Sequence, residues 1–209
     1  MSSQQFHKSI NDLLFLPWIG GQYGDNSMFE IPILIVGESN YTDDLEREEP
    51  HATFTHRLIE AIINGCWKHN FFSNIQRTFV EEAKPKEVRA QFWHSVAHHE
   101  YIQDWLPKPG VPPSEEMWKK GKSIFQEVVT ELQPKCILFV CKRVYDEVAR
   151  DRDFPQSSPS LTFDGGSRET LQIQDARVTY ILHPTQNGFR KSRGVVHELI
   201  HVSGGKTWV

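Results

Sequence analysis

Two clusters of polar side chains in this chain could act chemically on a ligand. The first is the run Glu38-Ser-Asn-Tyr41, and the second is His183-Pro-Thr185, far along the chain. A carboxylate and an imidazole are the side chains that most often exchange protons with a reacting group, or stabilise charge on it. If the two clusters meet in the folded protein, they could cleave a bond in a ligand held between them.

Each cluster directly follows an apolar run that predicts a strand. Ile33–Val36 is too short and too rich in β-branched residues for a buried helix, which favours a central strand covered on both faces. Gly37 then allows a sharp turn and a close approach of the backbone to a ligand. The second run, Arg177–Leu182, ends at His183. Because open α/β sheets bind ligands at the carboxyl ends of their strands, we expect both clusters at one sheet edge. An ordinary solvated turn is the alternative reading of the first cluster alone.

The rest of the chain alternates between helical and strand patterns, which favours an α/β fold with a parallel sheet. Apolar residues at helical spacing, with Ser114 as a cap before one helix and Pro134 as its stop, predict the helices. We expect one domain over residues 1–209 and a loop over Phe154–Pro159. The expected helices are Gln5–Trp18, Phe54–Ile63, Asn70–Glu82, 115–133 and Val144–Arg150, and the further strands are Cys136–Cys141, Leu161–Phe163 and Thr170–Gln174.

Composition predicts a soluble cytoplasmic protein. The chain has 209 residues, of which 24% are charged and 38% apolar, and it contains no apolar stretch of membrane-spanning length. Its N-terminus lacks the pattern of a secretory signal. Three cysteines without a CxxC pair are typical of reduced core thiols. We therefore expect no membrane partner, no structural metal and no cofactor.

Charge is distributed unevenly along the chain, although the net charge is only −4. Residues 43–49 carry five acids against one arginine, whereas residues 190–206 carry four cations against one glutamate. If a polyanion such as DNA binds, we expect the C-terminal segment to contact it. Scattered solvated charge on a surface helix is the alternative.

The ordered motifs resemble the uracil-DNA glycosylase superfamily. They are Ile33-Leu-Ile-Val-Gly-Glu-Ser-Asn-Tyr41, then Pro113-Ser-Glu-Glu-Met-Trp118 with Leu132-Gln-Pro134, then Tyr180-Ile-Leu-His-Pro-Thr-Gln-Asn-Gly-Phe-Arg190. The resemblance covers most of the chain and implies a three-layer α/β/α sandwich with a four-stranded, mainly parallel sheet. It also implies DNA, another nucleic acid or a nucleotide as partner.

The resemblance also implies roles for individual residues. His183 would face the base, Glu38 would act near the anomeric carbon with Asp43 as a substitute, and Phe189 would be a wedge that helps extrude the base from a duplex. The cations beyond Phe189 would contact phosphates. The expected binding residues are Gly37, Ser39, Asn40, Tyr41, Thr185, Asn187, Phe189 and Arg190.

Three departures from the superfamily pattern leave two functions open. Ser39 stands where the best-known branch has an acid, and Asn40 stands where that branch has proline. The asparagine that reads the base falls near Glu100, which argues against uracil as the ligand. Hydrolysis of a base–sugar bond and non-catalytic binding of a nucleic acid or nucleotide therefore both remain as hypotheses.

A third hypothesis comes from His197-Glu-Leu-Ile-His201, whose spacing matches the zinc-peptidase pattern His-Glu-x-x-His. Thr207 stands where the longer version of that motif has its third histidine. We instead expect this segment to be a terminal helix with its apolar side on the sheet. His94, His98 and His99 also raise the possibility of a metal, and for them we favour packing or base stacking.

Overall fold

The computed structural model describes residues 13–42, 52–80, 86–154, 156–164, 166–185 and 192–208, and within them it contains nine strands and six helices. The strands are β1 (Trp18–Ile19), β2 (Ile33–Gly37), β3 (Asn40–Tyr41), β4 (Ala97–Glu100), β5 (Trp105–Leu106), β6 (Cys136–Phe139), β7 (Gln156–Phe163), β8 (Gly166–Ile173) and β9 (Ala176–Tyr180). The helices are α1 (Phe54–Ile63), α2 (Asn70–Phe79), α3 (Lys86–Ser95), α4 (Glu115–Leu132), α5 (Lys142–Arg150) and α6 (Ser192–Val202).

The central sheet has seven strands in the order β1-β4-β2-β6-β9-β8-β7 within the described residues. Its four middle strands, β4, β2, β6 and β9, pair in parallel, and the outer pairs are antiparallel. The α/β class is confirmed, but the predicted strand number of four is wrong. The C-terminal strands extend the sheet beyond β9 as an antiparallel meander, which needs only short turns between neighbours. The predicted loop at Phe154–Pro159 is likewise wrong, because β7 already begins at Gln156.

The predicted helix Gln5–Trp18 is wrong over its described part, while residues 5–12 lie outside the described residues. Residues 13–17 are not helical, and Trp18 lies in β1, where it pairs with β4. The backbone N–H groups of Leu14 and Phe15 donate to Oε1 of Gln103, at 3.1 and 2.9 Å. These long-range hydrogen bonds replace the bonds that a helix would have made.

The other predicted helices are present, with small differences at their ends. In α4 the Ser114 hydroxyl accepts a hydrogen bond from the Met117 backbone N–H at 3.2 Å, as an N-cap does, and Gln133 ends the helix in the left-handed conformation before Pro134. α1 stops at Asn64, followed by Gly65 with a φ of 73°. Among the described residues, no helix is long and apolar enough to cross a bilayer.

Helices cover both faces of the central strands, because alternate residues of β2 join two separate cores. Ile33 and Ile35 pack with residues of α1, α2, α3 and α6. Leu34 and Val36 pack with residues of α4 and α5. A strand buried on both faces in this way explains why its sequence is continuously apolar.

The two histidines of β4 point to opposite faces of the sheet, and both are fully buried. His99 stacks on Phe125 with ring centroids 6.5 Å apart, and neither of its ring nitrogens has a hydrogen-bond partner within the described residues. Burial, with a smaller effect from His98, lowers the pKa of His99 to about 3. The imidazole therefore stays neutral in the folded protein through mildly acid pH.

Replacing His99 should remove a large part of the acid sensitivity of the fold. The folded state cannot protonate His99 above pH of about 3, whereas the unfolded chain protonates it below about 6.5. The unfolded state therefore binds more protons in that window, and the stability falls as the pH falls. Between pH 7 and 5, we expect His99 alone to cost about 2 kcal/mol of unfolding free energy. Denaturant titrations of wild type and His99→Leu at pH 7 and pH 5 measure this change in the free energy of unfolding.

The exposed His201 provides the control for this test. His201→Leu should keep the pH dependence of the wild type, because the side chain of His201 is exposed in the folded protein, as it is in the unfolded chain. Equal pH dependence in wild type and His99→Leu would contradict the prediction.

Candidate functional site

A cavity of about 590 Å³ lies at the carboxyl ends of the four parallel strands. Its volume is in the range of about 300–1,000 Å³ typical of small-molecule sites. Its walls come from the segments that follow β2, β4, β6 and β9, and from the region around α1 and α2. The lining residues are Glu38, Ser39, Asn40, Tyr41, Phe54, Leu58, Trp67, His69, Phe71, Phe72, Glu100, Pro109, Val140, Cys141, His183 and Thr185.

Backbone and side-chain hydrogen bonds hold the segment after β2 in a defined path. The Glu38 carbonyl accepts from the Ile102 N–H at 2.8 Å, which continues the pairing of β2 with β4. The Ser39 hydroxyl lies 2.8 Å from the carbonyls of both Asn40 and Asp104, and it can donate to one of them at a time. Ser39 therefore anchors the loop, and its hydroxyl is already engaged.

The Glu38 carboxylate is surrounded by four donors. Arg143 binds it with two parallel hydrogen bonds, from Nε to Oε1 and from Nη2 to Oε2, each 2.6 Å long. The Tyr41 hydroxyl donates to Oε2 at 3.2 Å, and the Cys141 thiol donates to Oε1 at 3.8 Å. A carboxylate has about four acceptor positions, so these donors occupy all of them. Glu38 thus presents a fixed negative charge at the cavity wall.

The neighbours of Glu38 are held in their protonated forms. Burial, and then the Glu38 charge, raises the pKa of the Tyr41 hydroxyl and that of the Cys141 thiol. Hydrogen bonding to Glu38 raises the pKa of Arg143 as well. Cys141 is therefore a poor nucleophile here, since only the thiolate attacks readily.

His183 reaches the same cavity from the end of β9. The Thr185 backbone N–H points at its Nδ1 at 3.4 Å, and the Thr185 hydroxyl lies 2.8 Å from that nitrogen. Because an amide N–H can only donate, Nδ1 accepts and Nε2 carries the hydrogen. Burial lowers the pKa of His183, although Glu38 and Glu100 oppose that shift. His183 is thus a neutral donor at pH 7.

The loop that carries His183 is held by Asn74, whose side-chain amide donates to the Pro184 carbonyl at 2.7 Å.

Glu100, at the end of β4, is a second buried carboxylate in the cavity wall. Its Oε1 accepts a hydrogen bond from Nε2 of His98 at 2.9 Å. Its other oxygen lies directly over Gly37, where a Cβ on residue 37 would be 2.2 Å from Oε2. Glycine at position 37 therefore leaves room for the Glu100 carboxylate in its observed position, in addition to any need for a turn.

Gly37→Ala should displace the Glu100 carboxylate while leaving the fold intact. The atoms that meet the new Cβ belong to the end of a side chain, so the side chain can move, at a cost of about 1–3 kcal/mol in stability. NMR of the His98 ring nitrogens and denaturant titration would measure the two effects. Gly21→Ala is the control, because within the described residues, its chain neighbours apart, the nearest atom to its Cβ would be Nδ1 of His94 at 3.9 Å. An unchanged His98 spectrum in Gly37→Ala would contradict the prediction.

Aromatic rings form another part of the cavity wall. Phe71 lies against His183, with ring centroids 5.2 Å apart and a tilt of 39°. Trp67 packs on His69 at 4.6 Å, and Phe72 contacts both of these rings. Flat apolar surfaces of this kind suit a planar ligand.

The structure brings most of the predicted site residues together. Glu38, Ser39, Asn40, Tyr41, His183 and Thr185 line one cavity, with Gly37 beneath Glu100. Asp43, Asn187, Phe189 and Arg190 lie outside the described residues. Arg143 was not predicted, although its position two residues after Cys141 and close behind β6 placed it near the same sheet edge.

The zinc-peptidase motif lies on α6, away from the residues that line the cavity. Nε2 of His197 lies 3.2 Å from the Phe79 carbonyl, to which it can donate, and His201 is exposed. Within the described residues, no group of three or more histidine, cysteine, aspartate or glutamate side chains could hold a metal ion. His94 and His98 do not share a helix face, because α3 ends at Ser95. The buried His98 packs against the rings of Phe72 and Trp93, in line with the packing role favoured above.

A scan of the chain against models of known protein families found no match, and a search of curated proteins found none either. The fold and the site define an α/β protein with a cavity at the carboxyl ends of parallel strands. Open α/β sheets bind small molecules at this position.

Proposed function

We propose that this protein binds a nucleobase of DNA in the cavity and hydrolyses its N-glycosidic bond, as the resemblance to the uracil-DNA glycosylase superfamily implies. The observation that carries the proposal is that Glu38 and His183, from distant parts of the chain, line one cavity with an aromatic wall. The wall would stack on a base extruded from the helix.

The charges of the site match the needs of this reaction. As the bond between base and sugar breaks, positive charge builds on the sugar and negative charge builds on the departing base. The fixed charge of Glu38 would stabilise the sugar cation, and the neutral Nε2–H of His183 would donate to the base. Water then adds to the anomeric carbon and loses a proton, while the departing base gains one.

Non-catalytic binding of a nucleobase is the second candidate, and the Arg143 contact favours it. The four donors around Glu38 leave its carboxylate without an open acceptor position for a water proton. Hydrolysis by this site would therefore depend on the charge of Glu38, with a weakly activated water. A binding module would keep the same cavity and release no base.

Abasic-site formation on synthetic oligonucleotides separates the two candidates. Duplex and single strands carrying uracil, hypoxanthine, xanthine or 8-oxoguanine would be incubated with the protein and cleaved with alkali at abasic sites. Release of any of these bases supports hydrolysis. Salt-sensitive binding of the same strands without release supports the binding module, and no binding at low salt contradicts both.

A further inference from the structure

Glu100 is a buried carboxylate in the cavity that the proposed reaction does not use. The residue is only 4% exposed, yet it lines the cavity. Within the described residues, the hydrogen bond from His98 to Oε1 is the one bond its carboxylate accepts. A carboxylate has about four acceptor positions, so most of those on Glu100 have no donor from these residues. A ligand with N–H groups would supply the missing donors.

The edge that a base turns toward Glu100 must therefore consist of donors. An ionised carboxylate can only accept hydrogen bonds, and a ligand carbonyl facing it would be repelled. Uracil presents one N–H between two carbonyls, and hypoxanthine presents one N–H beside one carbonyl. Guanine presents a ring N–H next to an exocyclic amino group, and two parallel donors match the two oxygens of a carboxylate.

We propose that Glu100 makes the cavity selective for a base with a ring N–H beside an exocyclic amino group, which is the edge of guanine and its derivatives. The proposal rests on the proposed function in one respect, that a nucleobase occupies the cavity. It does not require that the base be released. His98 is the positioning residue, because its bond to Oε1 directs the carboxylate, and Gly37 leaves room for Oε2.

Calorimetric titration with guanosine, inosine and uridine tests this selectivity. Guanosine and inosine differ only in the 2-amino group, so their affinity ratio isolates the contact with Glu100. We expect wild type to bind guanosine about tenfold to a hundredfold more tightly than inosine. In Glu100→Gln the amide offers one donor and one acceptor, so the preference should collapse and the affinity for uridine should rise. Glutamine has the shape of glutamate and can still accept from His98.

Each outcome decides the proposal. Equal binding of guanosine and inosine to wild type, no binding of any of the three, or an unchanged ratio in a folded Glu100→Gln variant would overturn it. The wild-type ratio needs no variant, so the test survives if Glu100→Gln does not fold. A guanosine preference without base release from any oligonucleotide supports this selectivity and contradicts the proposed hydrolysis of the N-glycosidic bond. Release of uracil without a guanosine preference overturns the proposed selectivity of Glu100 and supports the proposed hydrolysis.

Discussion

Glu38→Gln should reduce base release by about a hundredfold or more, because it removes the negative charge that we assign to stabilising the sugar cation. Glutamine keeps the size of the side chain but cannot form the two charge-assisted hydrogen bonds with Arg143. Single-turnover rates of abasic-site formation would measure the loss, on whichever base the wild type releases.

The control for Glu38 is a glutamate that is not among the residues lining the cavity. Glu147 lies on α5 and forms a long ion pair with Arg150, at 3.4 Å on the surface. Glu147→Gln should keep the wild-type rate within about twofold, because surface pairs of this kind contribute little. A Glu38→Gln variant that is folded and as fast as Glu147→Gln would eliminate the catalytic role of Glu38.

His183→Ala should lower the rate of base release by about 10²–10³-fold, the cost usually seen when one donor to a developing anion is lost. The departing base would then carry its charge without the Nε2–H that we assign from the contacts with Thr185. His183→Gln, which retains an N–H donor, should recover part of the loss. Equal rates for the alanine and glutamine variants would contradict the assigned role of donor, because a purely steric role does not distinguish them in this way.

The protonation state of His183 can be measured independently of activity. Burial lowers its pKa, so we expect its NMR titration midpoint below about 6.5, the value for an unperturbed histidine. Because the folded state releases this proton more readily than the unfolded chain, His183 contributes to a loss of stability as the pH falls below that value. A midpoint above 6.5 would mean that the charges of Glu38 and Glu100 outweigh burial. With a midpoint above 7, the donor at neutral pH would be mostly an imidazolium.

Local patterns in the chain were enough to place the two polar clusters at one edge of the sheet. The continuous apolar runs of β2 and β6 predict buried parallel strands, and a polar group directly after such a strand must emerge at its carboxyl end. The meeting of Glu38 and His183 in one cavity follows from this rule, since β2 and β9 both pair in parallel with β6. The cap at Ser114 and the stop at Asn64-Gly65 were predictable for the same reason, because each depends on neighbours in sequence.

What the sequence determined by itself was therefore the position of each polar group along its own strand or helix. The partners of those groups were decided only by the tertiary structure. Arg143 pairs with Glu38, and the Glu100 carboxylate lies over Gly37. The Gln103 side chain accepts hydrogen bonds from the backbone at Leu14 and Phe15, where a helix was predicted. The seven-stranded sheet was decided in the same way. Strand, helix and cap patterns reflect interactions within a few residues, whereas these contacts join groups whose separation in sequence carries no periodic signal. Which distant groups meet depends on how both cores pack against the sheet at once.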